Sequence, residues 1–204
     1  MNQWIPNVTV PEGVSGNWSV SRYVVDETTA MLSSIRDRSR YCPEGVYTIL
    51  RQGHTTIMSD TPAEKRDHCP IVRRATGHVL LNGLGLGMVL GAVLQKEEVE
   101  QVTVIENSPD VMALVADHYL VDPRVSIILA DAFIWAPPKG AFYDCVWHDI
   151  WPAICSDNLP EMIKLHRKYG RRCDWQGSWC RAGCERRRDQ WNKEKKRWGR
   201  YITL

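Results

Sequence analysis

Long apolar runs are missing from this sequence. None approaches the roughly 20 residues a helix needs to cross a bilayer, so no membrane span or membrane partner is expected. The opening residues, MNQWIPNVTVPEG, lack the basic segment and apolar run of an export signal. Regular cysteine pairing is missing too. Cys42, Cys69, Cys145, Cys155, Cys173, Cys180 and Cys184 are odd in number and scattered. Without an export signal they read as reduced thiols in a cytoplasmic protein. His166, Cys173, Cys180 and Cys184 are separated by six, six and three residues, which does not match the paired C-x2-4-C knuckle of a zinc site, so no metal is expected. The dinucleotide fingerprint G-x-G-x-x-G is absent: begun at Gly83 or at Gly85 it fails on Met88 or Leu90.

What is present centres on Val79 to Glu106, VLLNGLGLGMVLGAVLQKEEVEQVTVIE. A short apolar run suits a buried parallel strand. Gly83, Gly85 and Gly87 follow at alternate positions, where the backbone can turn tightly and approach a ligand. Met88 to Leu94 suits a helix. Val102 to Ile105 suits a second strand, tipped by Glu106, whose carboxylate can accept from both hydroxyls of a ribose.

The same design repeats downstream. Ser108-Pro109-Asp110 is a helix start, with a capping hydroxyl, a first-turn proline and a first-turn acid. Val125 to Leu129 and Tyr143 to His148 read as strands, and acids follow them at Asp131 and Asp149. Strands alternating with helices predict a parallel, doubly wound α/β sheet, in which ligands bind beyond the carboxyl ends of the strands. Upstream, Asp26 to Arg40 reads as a helix, Val46 to Leu50 and Thr55 to Met58 as a hairpin, and Pro62 to about Arg74 as a second helix. Residues 1–16 read as extended or poorly ordered.

With its G-x-G-x-G turn and the acids at 106, 131 and 149, the stretch 79–152 resembles the nucleotide-binding half of class I S-adenosylmethionine-dependent methyltransferases. It is most similar to their spermidine synthase-like branch, which also has an apolar residue at the place of Leu81 and a hairpin upstream. The resemblance implies a Rossmann-like fold and S-adenosylmethionine as cofactor. Gly83, Gly85 and Gly87 would lie under its methionine portion and Glu106 on its ribose. Asp131 and the Ala132 amide would meet the adenine, and Asp149 would face the reactive end. For catalysis it points to Asp149, with His148 as a base or else a core histidine. The implied activity is methyl transfer, with a small molecule as the expected acceptor. Aminopropyl transfer from the decarboxylated cofactor, or binding without chemistry, stand as alternatives. Aminopropyltransferases of this type carry a second acid at the place of Trp151, which speaks against that alternative.

The chain's 204 residues suit an N-terminal extension (1–76), a cofactor-binding core (77–160) and a helical extension (161–204), together one compact domain. Beyond Pro152 a helix is expected over Ser156 to Arg172 and another over Glu185 to Tyr201. No β-branched run appears before Ile202-Thr203, so the sheet is expected to be shortened, or completed by the N-terminal hairpin. From Lys164 onward 14 Lys and Arg face 4 Asp and Glu, a net of +10, which leaves −8 for the rest. Such a tail, with Trp175, Trp179, Trp191 and Trp198, either docks on the acidic body as an amphipathic helix or binds nucleic acid.

Overall fold

A computed structural model describes residues 5–199. Residues 1–4, the side chain of Trp198, and the expectations placed on Tyr201 and Ile202-Thr203 lie outside the described residues.

The chain is an α/β protein built on a five-stranded parallel sheet. In chain order the elements are β1 (Gly13–Ser15), β2 (Trp18–Val25), α1 (Glu27–Arg36), β3 (Gly45–Gln52), β4 (Thr55–Ser59), α2 (Pro62–Arg74), β5 (Gly77–Asn82), α3 (Met88–Leu94) and β6 (Val99–Glu106). There follow α4 (Pro109–Val111), a π-helical turn (Met112–Ala116), α5 (Asp117–Tyr119), β7 (Val125–Leu129), β8 (Tyr143–His148), α6 (Asn158–Tyr169), β9 (Cys173–Ser178) and α7 (Arg181–Gly199). The parallel sheet has the order β7-β6-β5-β8-β9. Strands added first run outward from β5 one way and then the other, so the order reverses between β5 and β8. A doubly wound sheet opens a crevice at that switch point.

The period-two alternation of strand side chains supplies both cores. Val79 and Leu81 of β5 turn to one face and join Val102, Val104, Ile71, Val72 and Val93. Leu80 turns to the other face and meets Val146, Met162, Leu165 and Tyr169. Helix α6 covers that second face with the stripe Leu159, Met162, Leu165 and Tyr169, while Ile163 remains 40% exposed.

The N-terminal strands do not complete this sheet. They form a separate antiparallel sheet in the order β1-β2-β3-β4. Strand β2, which the sequence reading left out, pairs along its whole length with β3, from Trp18 opposite Gln52 to Val25 opposite Gly45. The extended segment before it is anchored rather than loose. Buried Asp60 accepts from the Val8 amide at 2.9 Å and from the Thr48 amide at 2.7 Å, stitching the segment to the hairpin.

The C-terminal part departs most from expectation. Strand β9, CDWQGS, has no β-branched residue and gives no strand pattern, yet it pairs with β8 from Tyr143–Cys173 to His148–Ser178. Its hold comes from tertiary partners. Trp175 stacks on Trp147 with ring centres 6.1 Å apart and planes 9° from parallel, a contact of about 0.5–1.5 kcal/mol beyond its buried area. The Arg74 guanidinium lies 5.2 Å from the Trp175 ring centre. Helix α7 does not lie down as an amphipathic helix. Cys184 anchors its first turn in the core, but from Arg186 to Arg197 every residue is exposed and Trp191 is 65% exposed.

Candidate functional site

A cleft of about 440 Å³ lies at the switch point. Gly83 forms its floor. The Gly83 amide donates to the Ile105 carbonyl at 2.8 Å, and the residue sits at φ +103°, where only glycine is at ease. A Cβ there would stand 2.0 Å from the Asp149 carbonyl oxygen, so β5 and β8 can close at this point only around a glycine. Gly85 lines the cleft against the Met58 sulfur. Gly87 caps α3 and packs on the Tyr119 ring instead of lining the cleft.

Glu106, at the end of β6, is 8% exposed and lines the cleft. Its Oε2 accepts from the Leu84 amide in the glycine turn at 2.9 Å, and Oε1 from the Ser108 amide at 2.8 Å. One carboxylate thus ties the turn after β5 to the helix start after β6. A carboxylate has about four acceptor sites, so capacity for two ligand hydroxyls is left. Beyond β7, Asp131 and Ala132 line the same cleft. The Asp131 side chain accepts from the Phe133 amide at 2.6 Å. Lys168 of α6 holds the turn from below, donating to the carbonyls of Ala132 at 2.8 Å, Phe133 at 3.2 Å and Trp135.

The ends of β8 separate two neighbouring residues. Asp149 lines the cleft. Burial raises its carboxyl well above the ordinary range, and the charges of Glu64, Asp67 and Glu106 add to the effect. His148 is fully buried and does not line the cleft. Its ring nitrogens meet the Asn82 amide at 2.7 Å and the Gln176 carbonyl at 3.2 Å, and burial pushes its pKa down to about 3. It is a satisfied core histidine, out of reach of a ligand in the cleft.

The histidine that does reach Asp149 is His68 of α2, which the sequence reading passed over. Its Nε2 stands 3.5 Å from Asp149 Oδ2, and neither ring nitrogen has a hydrogen-bond partner among the described residues. Burial lowers its pKa to about 4, against the pull of Asp67. His68 precedes the buried Ile71 and Val72 by one turn, so its place on the inner face of α2 is a helical-period signal. Its partner 81 residues downstream is not. Glu64, on the same helix, is pushed up to about 7 by burial, with Arg40 opposing. Within the cleft itself, Glu106, Asp131, Asp149 and Glu161 supply the acidic side chains, a field that favours a cation.

Other walls also come from distant sequence. Trp18, Leu50 and Met58 of the N-terminal sheet close one side. Trp151 lines the cleft while its indole N–H donates to Glu161 of α6 at 2.7 Å. Glu161 thus brings a further carboxylate to the same cleft from α6. Among the described residues no group of three or more His, Cys, Asp or Glu side chains is arranged to hold a metal ion. No helix among them is long and apolar enough to cross a membrane.

No protein-family model and no curated protein matches this chain. Solved structures do match. The N-methyltransferase NodS from Bradyrhizobium japonicum WM9, in complex with S-adenosyl-L-homocysteine, is 14% identical over 56% of this chain and 58% of that chain, with a TM-score of 0.45. The 23S rRNA methyltransferase ErmE is 15% identical over 55% and 44%, with a TM-score of 0.45. Spermidine synthase from Thermotoga maritima is 17% identical over 80% and 52%, with a TM-score of 0.44. The chain spans 58% and 44% of the first two. These three neighbours are two methyltransferases and a spermidine synthase. The Rossmann-like doubly wound sheet itself is read from the strand order β7-β6-β5-β8-β9.

Proposed function

We propose that this chain is an S-adenosylmethionine-dependent methyltransferase. The observation that carries the reading is the convergence of Gly83, Gly85, Glu106, Asp131, Ala132 and Asp149, from the ends of four parallel strands, on one cleft. In this reading Glu106 accepts from the ribose hydroxyls and Asp131 with Ala132 meets the adenine. Gly83 and Gly85 leave room for the methionine portion. The carboxylates around Asp149 favour the sulfonium.

The sulfonium is an activated leaving group, so the protein mainly aligns the acceptor and excludes water. The acceptor's lone pair forms a bond to the methyl carbon as the carbon–sulfur bond breaks, and the sulfur keeps that electron pair. The acceptor's proton passes to Asp149 or to water. A raised carboxyl pKa means that Asp149 must first lose its own proton, which the positive sulfonium promotes. His68, held neutral 3.5 Å from Asp149, adds no positive charge that would lower the carboxyl's pKa.

Glu161 favours a second reading, aminopropyl transfer from decarboxylated S-adenosylmethionine, because it supplies a carboxylate that could hold a cationic amine. Calorimetric titration with both donors separates the two. Tighter binding of the intact cofactor is the expected result. A preference for the decarboxylated form would overturn methyl transfer, and no binding of either would overturn both.

A further inference from the structure

A second cavity, of about 750 Å³, opens between α2, residues 37–40 and the first turns of α7. Five arginines line it: Arg40, Arg66, Arg181, Arg186 and Arg187. Its two acids are already engaged. Asp67 pairs with Arg40 at 2.9 Å, and Asp37 caps the following turn by accepting from the Ser39 amide at 2.9 Å. Arg186 and Arg187 have no ion-pair partner among the described residues. Trp147, 3% exposed, also lines the groove, and its indole N–H has no acceptor among the described residues. The groove thus offers donors in excess of acceptors.

Helix α7 prolongs this surface. Its exposed length adds Arg188, Lys193, Lys195, Lys196 and Arg197, with Trp191 exposed among them. A membrane-surface helix needs an apolar face, and apart from Trp191 every side chain from Glu185 to Arg197 is polar. Closely spaced cations with an interleaved aromatic suit phosphates and a stacked base.

The groove and the cleft share a wall. Asp67 lines the groove, and the next residue, His68, lies 3.5 Å from Asp149 of the cleft. The loop after β8 contributes Pro152 to the cleft and Ile154 to the groove.

We infer that the groove and the exposed face of α7 bind a single-stranded nucleic acid, whose nucleotide is the acceptor presented beside Asp149. This replaces the small-molecule acceptor expected from the sequence. As an assignment of the acceptor it rests on the transferase reading above.

The test measures fluorescence anisotropy of a labelled single-stranded RNA of mixed sequence, at salt from about 50 mM to about 200 mM. It compares wild type with R186E/R187E, and titrates S-adenosylmethionine into both by calorimetry. Wild type should bind, with affinity falling steeply as salt rises. The double charge reversal should weaken binding at least about tenfold and lower the log–log salt slope by about 1.4, two single-strand phosphate contacts at about 0.7 each. Its cofactor heat should be unchanged, which also certifies its fold. Three results would overturn the inference while cofactor binding persists: no RNA binding at low salt, binding indifferent to the reversal, or equal displacement by polyglutamate, which would mark a surface that reads charge alone. RNA binding with no cofactor heat would instead overturn the acceptor role through failure of the transferase reading.

Discussion

The two halves of the parallel sheet differ in what carries their function. In the half formed by β5, β6 and β7, the cleft-lining groups sit at or just past strand ends. Gly83, Glu106 and Asp131 are placed by backbone geometry and local hydrogen bonds. In the half formed by β8 and β9, position depends on distant partners. Asp149 meets His68 of α2, Trp151 is anchored by Glu161 of α6, and β9 is held by the Trp147–Trp175 stack. Where the strand end itself is the device, one substitution should abolish binding. Where packing is the device, as in β9, one substitution should cost stability and leave the cleft intact.

The largest expected contrast is between two glycine substitutions. Gly83→Ala would put a methyl group 2.0 Å from the Asp149 carbonyl oxygen at a φ that disfavours side chains. It should destabilise the protein by roughly 2–4 kcal/mol and abolish cofactor binding. Gly177→Ala would place a methyl 2.8 Å from the Trp147 and Trp175 rings, side chains that must give way, with no backbone atom in its path. A smaller loss of about 1–2 kcal/mol with cofactor binding retained is expected. Thermal melts and calorimetry on both variants check this. Equal effects on binding would break the contrast between the halves.

A proton linkage sharpens the contrast further. In the free protein the Asp149 carboxyl titrates well above the ordinary range. A cation binds better to the carboxylate than to the neutral acid, so binding of S-adenosylmethionine should release a proton. Its affinity should rise with pH while the free carboxyl titrates, by at most about tenfold per pH unit, and then level off. S-adenosylhomocysteine has no sulfonium and should show a flatter profile. Asp149→Asn should flatten the profile of the sulfonium ligand too. Titrations in buffers of different ionisation enthalpy count the protons, and equal proton release by both ligands would sink the assignment of Asp149 to the sulfonium end.

The same division explains what could be read in the sequence. The strand, glycine turn, helix and acid-tipped strand over 79–106 are local, so spacing and backbone chemistry reveal the elements, though not that Gly87 packs on Tyr119 away from the cleft. The four strands from Gly77 to His148 and the helix start at Ser108 were legible for this reason; the Ser108 hydroxyl accepts from the Val111 amide at 3.2 Å. Strand β9 was not, because Cys173 to Ser178 has no strand pattern and is held by tryptophan stacking and by pairing with β8. His68 was legible as a buried position but not as the neighbour of Asp149. The roles of His148 and Asp149 could not be divided from sequence, since neither spacing nor residue type says that β8 ends between them, leaving one in the core and the other at the cleft. The stand-off of α7 follows from its lack of an apolar stripe. A docked stripe was one of the two readings of its tryptophans, but Trp175 and Trp179 belong to β9 and the turn after it, and Trp191 is exposed.

The central claim is that the β5–β6–β7 half holds a nucleoside through Glu106. The most direct measurement is calorimetric titration of S-adenosylmethionine into wild type and Glu106→Ala, with thermal melts of both. The account predicts saturable binding to the wild type, weakened on the order of 100-fold in a variant that remains folded, since two hydrogen bonds to a charged acceptor are lost at about 1.5 kcal/mol or more each. Unchanged affinity in a folded Glu106→Ala protein, or no binding by the folded wild type, would contradict it.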